Sequence, residues 1–235
     1  MRARPIQSIA LSVLALAILS ASALRLGLVP PRLNPLAPLS LREPSPWFLD
    51  YRLSALRRDQ TACRAVLQAP VIWAEPVSDQ PVRNGCGWHN AVQVASAGGV
   101  KAPVGTLTCE MAAALAMWLE HSVQPAAIEH FGQGVASLQH MGAYACRNIA
   151  GNNPWTSHRS QHATANAIDI AGFTLDDGRV IRVLKDWKGD GPDARFLHDV
   201  HKSACRYFRA ALSPRFNEAH ASHLHLDRGL YTSCR

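Results

Sequence analysis

The sequence predicts a single α+β domain with a small antiparallel sheet, helices on one side of that sheet, and disulfide staples. Its 235 residues are 48% hydrophobic, which is enough to form one sizeable core. Short apolar runs bounded by turn residues alternate with longer stretches in which apolar residues recur at helical spacing. All six cysteines follow an N-terminal stretch that is typical of exported proteins.

The N-terminal segment has the composition of an export signal. Arg2 and Arg4 precede an uncharged, mostly apolar run from Ile9 to Leu24, and Ala21-Ser22-Ala23 has the small-x-small form of a cleavage site. The run is also close to the length of about 17 residues that just spans a bilayer. We therefore predict that residues 1–24 are a signal peptide or an inner-membrane tether, and that the rest of the chain is periplasmic or otherwise extracytoplasmic.

Residues 25–47 are predicted to be a linker, followed by a folded domain at residues 48–235. Proline is frequent in the linker, and this composition resists helix and sheet and favours an extended spacer. The prolines are Pro30, Pro31, Pro35, Pro38, Pro44 and Pro46. Such a spacer would hold the domain away from a membrane.

The cysteines are expected to form three disulfide bonds, because an exported protein matures in an oxidising compartment. They are Cys63, Cys86, Cys109, Cys146, Cys205 and Cys234, and none forms a C-x-x-C pair. Closure between nearest neighbours in the sequence predicts the pairs Cys63–Cys86, Cys109–Cys146 and Cys205–Cys234.

The first half of the domain is predicted to begin with a helix and to continue with hairpins. Apolar residues at helical spacing predict a helix from Tyr51 to Leu67. From Val71 to Val104, short apolar runs alternate with turn signals such as Asn84-Gly85, which predicts hairpins. A second helix is predicted from Thr108, a suitable N-cap residue, to Leu119.

The second half is predicted to contain three strands or hairpin segments, a helix and a last short strand. Strands are predicted at Gly134–Met141 and Ala167–Leu175, and the second of these turns back into Val180–Trp187. Arg195–Leu212 is apolar on one face and gives the clearest helix signal. The apolar-polar alternation of His223–Leu230 predicts the final strand.

Two motifs carry residues suited to metal chemistry. His162 ends a loop, and Asp169 follows seven residues later at the entry to a predicted strand. In the final strand, His223, His225 and Asp227 should project to the same side, because side chains alternate between the two faces. A catalytic zinc site has three imidazole or carboxylate ligands and one open position. His162, Asp169 and one histidine of the final pair would supply these ligands, and their spacing alone does not decide which histidine.

The two motifs resemble those of the LAS group of metallopeptidases, which includes lysostaphin-type endopeptidases and D-Ala-D-Ala carboxypeptidases. The shared pattern is H-x6-D followed by H-x-H. More narrowly, residues 160–173 (SQHATANAIDIAGF) and 216–227 (FNEAHASHLHLD) resemble the bacterial extensin-like C-terminal domain family. The similarity extends from about Cys63 to the C-terminus.

This resemblance implies a LAS-type fold and a role for each motif residue. It implies His162, Asp169 and His225 as zinc ligands and His223 as the catalytic histidine. The implied function is hydrolysis of peptide (amide) bonds in peptidoglycan, by a zinc-dependent DD/LD-endopeptidase or carboxypeptidase that binds the peptide stems. The alternative is a cell-wall binding module that contains zinc but does not catalyse a reaction.

The sequence departs from the family pattern near both motifs. The family usually has glycine where this chain has Ala165, and an acidic residue where it has Ser222. Alanine is a mild change unless the position needs a positive φ angle. Loss of the acidic neighbour could weaken catalysis, but it removes no expected ligand. The chain also lacks the Glu-x-x-His element of the carboxypeptidase branch.

Four further residues are candidates for supporting or substrate-binding roles. Arg147 either clamps a substrate carboxylate or is a surface arginine. Ser160 either caps its loop or bonds to the substrate. His220 could support the site or contact the substrate, and Asp227 could orient an imidazole through its second nitrogen.

The overall charge does not identify a partner. A net charge of +7 and a pI near 9.4 would suit an anionic partner, but the arginines are scattered along the chain. Nucleic-acid binding is not expected, because the chain has an export signal and no recognised nucleic-acid motif. The sequence does not indicate an oligomeric state.

Overall fold

The computed structural model describes residues 4–44, 47–150 and 154–235, with side chains from residue 7 onward. Arg2 of the predicted export signal and Pro46 of the predicted linker lie outside the described residues. The α-helices are α1 (Arg4–Arg25), α2 (Leu49–Ala55), α3 (Gln60–Val66), α4 (Cys109–Trp118), α5 (Gln124–Phe131), α6 (Val183–Asp186) and α7 (Pro192–Ala204). The strands are β1 (Ile72–Pro76), β2 (Gln80–Arg83), β3 (Cys86–Trp88), β4 (Ala91–Ala97), β5 (Val100–Thr108), β6 (Val135–His140), β7 (Ala167–Leu175), β8 (Val180–Arg182), β9 (Ala210–Leu212), β10 (Leu224–Asp227) and β11 (Ser233–Cys234).

Nine of the described strands form one mixed sheet. Its order is β1-β4-β5-β6-β7-β10-β9-β11, with β8 paired to β7, while β2 and β3 form a separate hairpin. β5 pairs with β6, and β9 with β11, in the parallel orientation. Parallel pairing of β5 and β6 is possible because α4 and α5 lie between them in the chain and form a crossover. The α+β class is therefore confirmed, whereas the prediction of a small antiparallel sheet is wrong.

Helix α4 lies at the centre of the hydrophobic core. All ten of its residues are buried, so it is surrounded by other elements, as an apolar helix requires. The Trp118 ring makes edge-to-face contacts with Phe173 and Phe208, and its Nε1 donates to the backbone carbonyl of Val200 in α7. These contacts fix α4 and α7 relative to β7, one of the strands that carry the metal motifs.

Two predicted helices end earlier than expected. The first is interrupted at residues 56–59, where the Asp59 side chain accepts a hydrogen bond from Ala62 N–H and caps a separate helix, α3. The last predicted helix ends at Ala204, and residues 210–212 form β9 instead. There, pairing with β10 outweighs the helical spacing of the apolar residues.

The disulfide bonds connect Cys63 with Cys109, Cys86 with Cys146, and Cys205 with Cys234. Only the last pair was predicted, and the pairs Cys63–Cys86 and Cys109–Cys146 are wrong. Nearest-neighbour closure fails because β1 and β2 lead the chain away from α3 before Cys86 is reached. Cys63 instead lies next to Cys109 at the start of α4, and Cys86 lies next to Cys146 in the loop that precedes the metal motif.

Helix α1 contains a stretch, Gln7–Arg25, that is long and apolar enough to cross a membrane, and a signal sequence has the same properties. The proline-rich residues after it pack onto the domain over part of their length. Leu39 and Leu41 are buried in the hydrophobic core, and His121 Nε2 donates to the backbone carbonyl of Leu41. This segment is therefore bound to the domain at these residues instead of forming a free spacer throughout.

Candidate metal centre

Two paired strands place Asp169 and His225 side by side. β7 and β10 are antiparallel, and Asp169 lies directly opposite His225. Leu224 and Leu226, on either side of His225, are completely buried in the core. The alternation of side chains in a strand therefore turns His225 and Asp169 to the opposite face.

A single 3-10 turn at residues 161–164 brings His162 to the same place. Ser160 caps this turn, because its Oγ accepts a hydrogen bond from the backbone N–H of His162. Ala165 ends the turn in the left-handed conformation, with φ of 53°. A side chain there costs about 1 kcal/mol relative to glycine. The departure from the family pattern at Ala165 thus falls at a position that needs a positive φ.

Three atoms of these residues form a compact triangle, and the residues that supply them, His162, Asp169 and His225, are called the metal cluster below. Asp169 Oδ1 lies 3.1 Å from His162 Nε2 and 2.9 Å from His225 Nδ1, and the two nitrogens are 3.2 Å apart. A tetrahedral zinc ion with bonds of about 2.0–2.1 Å separates its ligands by about 3.3 Å. The triangle therefore fits one metal ion at bonding distance from all three atoms. These three residues are the candidate metal-binding group among the described residues.

The second nitrogen of each histidine has a partner that directs the first nitrogen to the centre. His162 Nδ1 lies 2.7 Å from the backbone carbonyl oxygen of Ala143 and donates to it. His225 Nε2 lies 3.1 Å from Asp227 Oδ2 and donates to that carboxylate. Because these two outer nitrogens keep their protons, loss of the protons on His162 Nε2 and His225 Nδ1 would leave a lone pair on each inner nitrogen for a metal. Metal-ligating histidines commonly have such partners.

His223 lies beside the metal cluster. Its Nε2 is 3.6 Å from Asp169 Oδ1, farther than His162 Nε2 and His225 Nδ1, and its ring contacts the ring of His220. His220 is held in turn by a 2.6 Å hydrogen bond between its Nδ1 and Asn217 Oδ1. His225 therefore belongs to the triangle, and His223 lies outside it.

Arg147 reaches the accessible side of the cluster. Its Nη2 is 3.9 Å from Asp169 Oδ2, and its side chain is 43% exposed. The backbone carbonyl of Arg147 accepts a hydrogen bond from Ser160 N–H, and the preceding Cys146 is disulfide-bonded to Cys86. Arg147 is therefore fixed next to the metal loop with its guanidinium open to a carboxylate from outside.

The cluster combines a stabilised carboxylate with imidazoles of different basicity. Burial opposes ionisation of Asp169, but hydrogen bonds from two histidines outweigh burial and hold its pKa well below the usual range. Burial also opposes the charge of His225, yet neighbouring carboxylates raise its pKa to about 9. Burial and nearby positive charge lower the pKa of His220 to about 4. Burial likewise lowers the pKa of His223, although Asp169 opposes this effect.

Two further groups help to hold the site, and the sequence analysis predicted neither of them. One is the carbonyl of Ala143, which no residue-type pattern can mark because any residue has one. The other is Asn166, whose Oδ1 accepts from Thr108 Oγ1 and whose Nδ2 donates to Gln161 Oε1. Its backbone carbonyl accepts from the N–H of Arg228, so Asn166 links the ends of β5 and β10 to the metal loop. The position of Asn166 inside the H-x6-D motif was the one feature of the sequence that could have indicated its role.

The structure brings all the predicted site residues together at one place. They are His162, Asp169, His225, His223, Arg147, Ser160, His220 and Asp227. Fold and site together define an α+β domain with a buried His-Asp-His cluster and a fourth histidine beside it.

Comparison with known proteins identifies the family of this domain. Residues 61–235 match the family described as Extensin-like protein C-terminus, and the chain belongs to this family. No curated protein and no solved structure matches the chain.

Proposed function

We propose that this protein is a zinc-dependent peptidase that cleaves peptide (amide) bonds in peptidoglycan outside the cytoplasm, as a DD/LD-endopeptidase or carboxypeptidase. The observation that carries the proposal is the triangle formed by His162 Nε2, Asp169 Oδ1 and His225 Nδ1. The similarity of the two motifs to those of LAS metallopeptidases supports the reaction and the substrate.

The chemistry of the donor set suits zinc. Two imidazoles and one carboxylate are ligands that zinc prefers, and a set of three leaves the fourth tetrahedral position open. His162, Asp169 and His225 are all buried, which would restrict exchange of a bound metal with bulk water. A zinc ion held there would polarise the scissile carbonyl and lower the pKa of water.

The residues around the cluster can carry out the proton transfer and the binding of substrate. Burial lowers the pKa of His223, which favours the neutral imidazole, and the Nε2 of a neutral His223 can accept a proton from the attacking water. The same nitrogen can then donate that proton to the leaving amine. Arg147 can bind a carboxylate of the peptide stem, and the ring of His220 positions His223.

Cleavage of purified sacculi tests this proposal. Wild-type protein, His223→Ala and the matched control His89→Ala would be incubated with sacculi, and the released muropeptides quantified by mass spectrometry. His89 is an exposed histidine paired with Asp79, outside the cluster. We expect release by the wild type and the control. His223→Ala should keep its zinc and release about 10²- to 10⁴-fold less, because it lacks the proton acceptor.

One outcome would contradict the proposed enzymatic activity, and another would contradict only the role of His223. If wild-type protein binds zinc but releases nothing, the domain is a zinc-containing cell-wall binding module, and cosedimentation with sacculi would measure that binding. The strained backbone of Ala165 and the replacement of an acidic residue by Ser222 are the observations that favour this second function. If His223→Ala cleaves as well as the wild type, His223 does not have the proposed role.

A further inference from the structure

A group of exposed apolar side chains surrounds the point where α1 joins the domain. We call it the junction surface, and its residues are Leu26, Leu28, Leu36, Trp47, Phe48 and Tyr51. Each is large and apolar or aromatic, and each is between 51% and 74% exposed. Water-exposed apolar groups of this kind commonly mark a surface that contacts a partner or a membrane.

Hydrogen bonds fix this region to the domain. The side chain of Arg52 in α2 is buried, and its Nη2 donates to the backbone carbonyls of Pro31 and Asn34. The Asn34 side chain donates in turn to the carbonyl of Leu24, near the end of α1, over 2.8 Å. The exit of α1 and the start of α2 therefore belong to one hydrogen-bonded unit.

The two aromatic residues before α2 are held outward by the backbone. Trp47 N–H donates to the carbonyl of Arg32 over 2.8 Å, which attaches Trp47 to the proline-rich segment. Phe48 has a φ of 59°, a left-handed conformation that is strained for a bulky side chain. Burial of the ring does not offset this strain, because Phe48 is 51% exposed. A strained residue with an exposed aromatic ring indicates a contact outside the domain.

The charges near the junction surface suit an anionic partner. Arg25, Arg32 and Arg42 are exposed close to the apolar residues in the chain. The acidic neighbour Asp50 is ion-paired with Arg209 and Arg228 of the domain, and Glu43 is the other acid of this region. Tryptophan and tyrosine are enriched where proteins meet lipid headgroups, and exposed arginines there attract anionic phospholipids.

We propose that the junction surface lies in the headgroup region of a phospholipid bilayer containing anionic lipids. Continuity with α1 favours this partner, because α1 contains a stretch long and apolar enough to cross a membrane and ends at this surface. The apolar and aromatic side chains then contact the upper acyl chains, and the arginines contact phosphates. This inference does not depend on zinc or on hydrolysis.

The junction surface is also joined by hydrogen bonds to residues next to the strand that carries His225 of the metal cluster. Asp50, next to Tyr51, accepts hydrogen bonds from Arg228 and Arg209. Arg228 follows the last residue of β10, and Arg209 precedes β9. Docking of the junction surface on a bilayer would therefore hold the metal cluster at a fixed position relative to the membrane.

Quenching of tryptophan fluorescence by brominated lipids tests the proposal on the full chain. The protein would be reconstituted in nanodiscs of phosphatidylethanolamine and phosphatidylglycerol, with bromine near the carbonyl end of the acyl chains. We expect quenching in the wild type that is lost in Trp47→Phe, because Trp47 would lie within reach of the bromine. The matched control is Trp73→Phe, since Trp73 is similarly exposed, at 61%, but lies on the edge strand β1. It should keep the quenching of the wild type.

Two results would overturn the proposal. One is equal quenching in the wild type and in Trp47→Phe, which would place Trp47 outside the bilayer. The other is absence of quenching in the wild type while α1 is inserted. A surface covered by a second copy of the chain would give this result together with a dimer in cross-linking.

Discussion

Two polar clusters lie next to each other in this domain, and their residue types give them different properties. The metal cluster is bonded to Asp227 through His225. The second cluster, which we call the arginine network, begins at the next residue, Arg228. Its members are Asp50, Arg57, Glu110, Arg209 and Arg228.

The arginine network is closed to a metal ion. Glu110 is completely buried and pairs with Arg57 at 2.7 Å and with Arg228 at 3.5 Å. Guanidinium groups stay protonated and have no lone pair to offer. The metal cluster instead has two imidazoles around one carboxylate, and an imidazole, unlike a guanidinium, can lose a proton and offer the lone pair to a metal. The comparison shows that burial and nearby charges do not by themselves define a metal site. The type of basic residue beside the carboxylate, imidazole or guanidinium, determines whether a metal ion can bind.

The largest expected difference in stability comes from Glu110→Ala. The substitution leaves Arg228, which is 1% exposed, without its buried counter-charge. We expect a loss of about 3–5 kcal/mol in the free energy of unfolding, measured by urea denaturation. The folded variant should keep the zinc content of the wild type. A Glu110→Ala variant with the stability of the wild type that no longer binds zinc would contradict this prediction, because Glu110 would then be needed for metal binding and not for stability.

A smaller effect, on zinc affinity, is expected for Asp227→Asn, which lies next to the metal cluster. The neutral amide holds the Nε2–H of His225 less strongly, so the ligand nitrogen Nδ1 becomes a weaker donor to the metal. We expect zinc affinity to fall about 10- to 100-fold, measured by competition with a chelator. Unaltered affinity would show that Asp227 does not orient His225 for the metal.

The smallest effect is expected for Asp50→Asn and depends on pH. Hydrogen bonds from Arg209, with a smaller contribution from Arg228, overcome burial and lower the Asp50 pKa from 3.8 to about 2. A lowered pKa stabilises the folded state above pH 3.8, and this stability is lost as pH falls through about 2. Because the carboxyl is 57% exposed, its contribution at pH 7 should be about 1 kcal/mol or less.

Thermal unfolding at a series of pH values measures this difference. The wild type should be more stable than Asp50→Asn at pH 7, and the two curves should converge toward pH 2. Asp190→Asn, at an exposed aspartate, is the control. A difference that stays constant with pH would mean that Asp50 acts through packing instead of charge.

The sequence was most informative where the chemistry is local. The H-x6-D and H-x-H spacings pointed to His162, Asp169 and the pair His223 and His225, because a strand and a short capped turn present these side chains by simple rules. The choice of His225 from that pair came from the family resemblance. β7 was predicted with its observed bounds, Ala167–Leu175. The periodicity of apolar residues also located the helices that became α4 and α7.

Features that depend on distant parts of the chain were not predictable in the same way. The pairing of Cys63 with Cys109 depends on the packing of α3 against α4. The parallel contact between β5 and β6 depends on the crossover between them. The arginine network was not predicted either, because Arg57, Glu110 and Arg228 are far apart in sequence and follow no spacing rule. Spacing likewise gave no indication that Leu39 and Leu41 pack onto the core.

The zinc content of the purified full chain tests the central claim most directly. Metal analysis by mass spectrometry after dialysis would compare the wild type with His162→Ala, and the control would be His89→Ala. We expect about one zinc per chain in the wild type and the control and almost none in His162→Ala, because a three-ligand site does not survive loss of one ligand. A wild type without zinc, or a His162→Ala variant that binds as much zinc as the wild type, would contradict the assignment of the metal cluster.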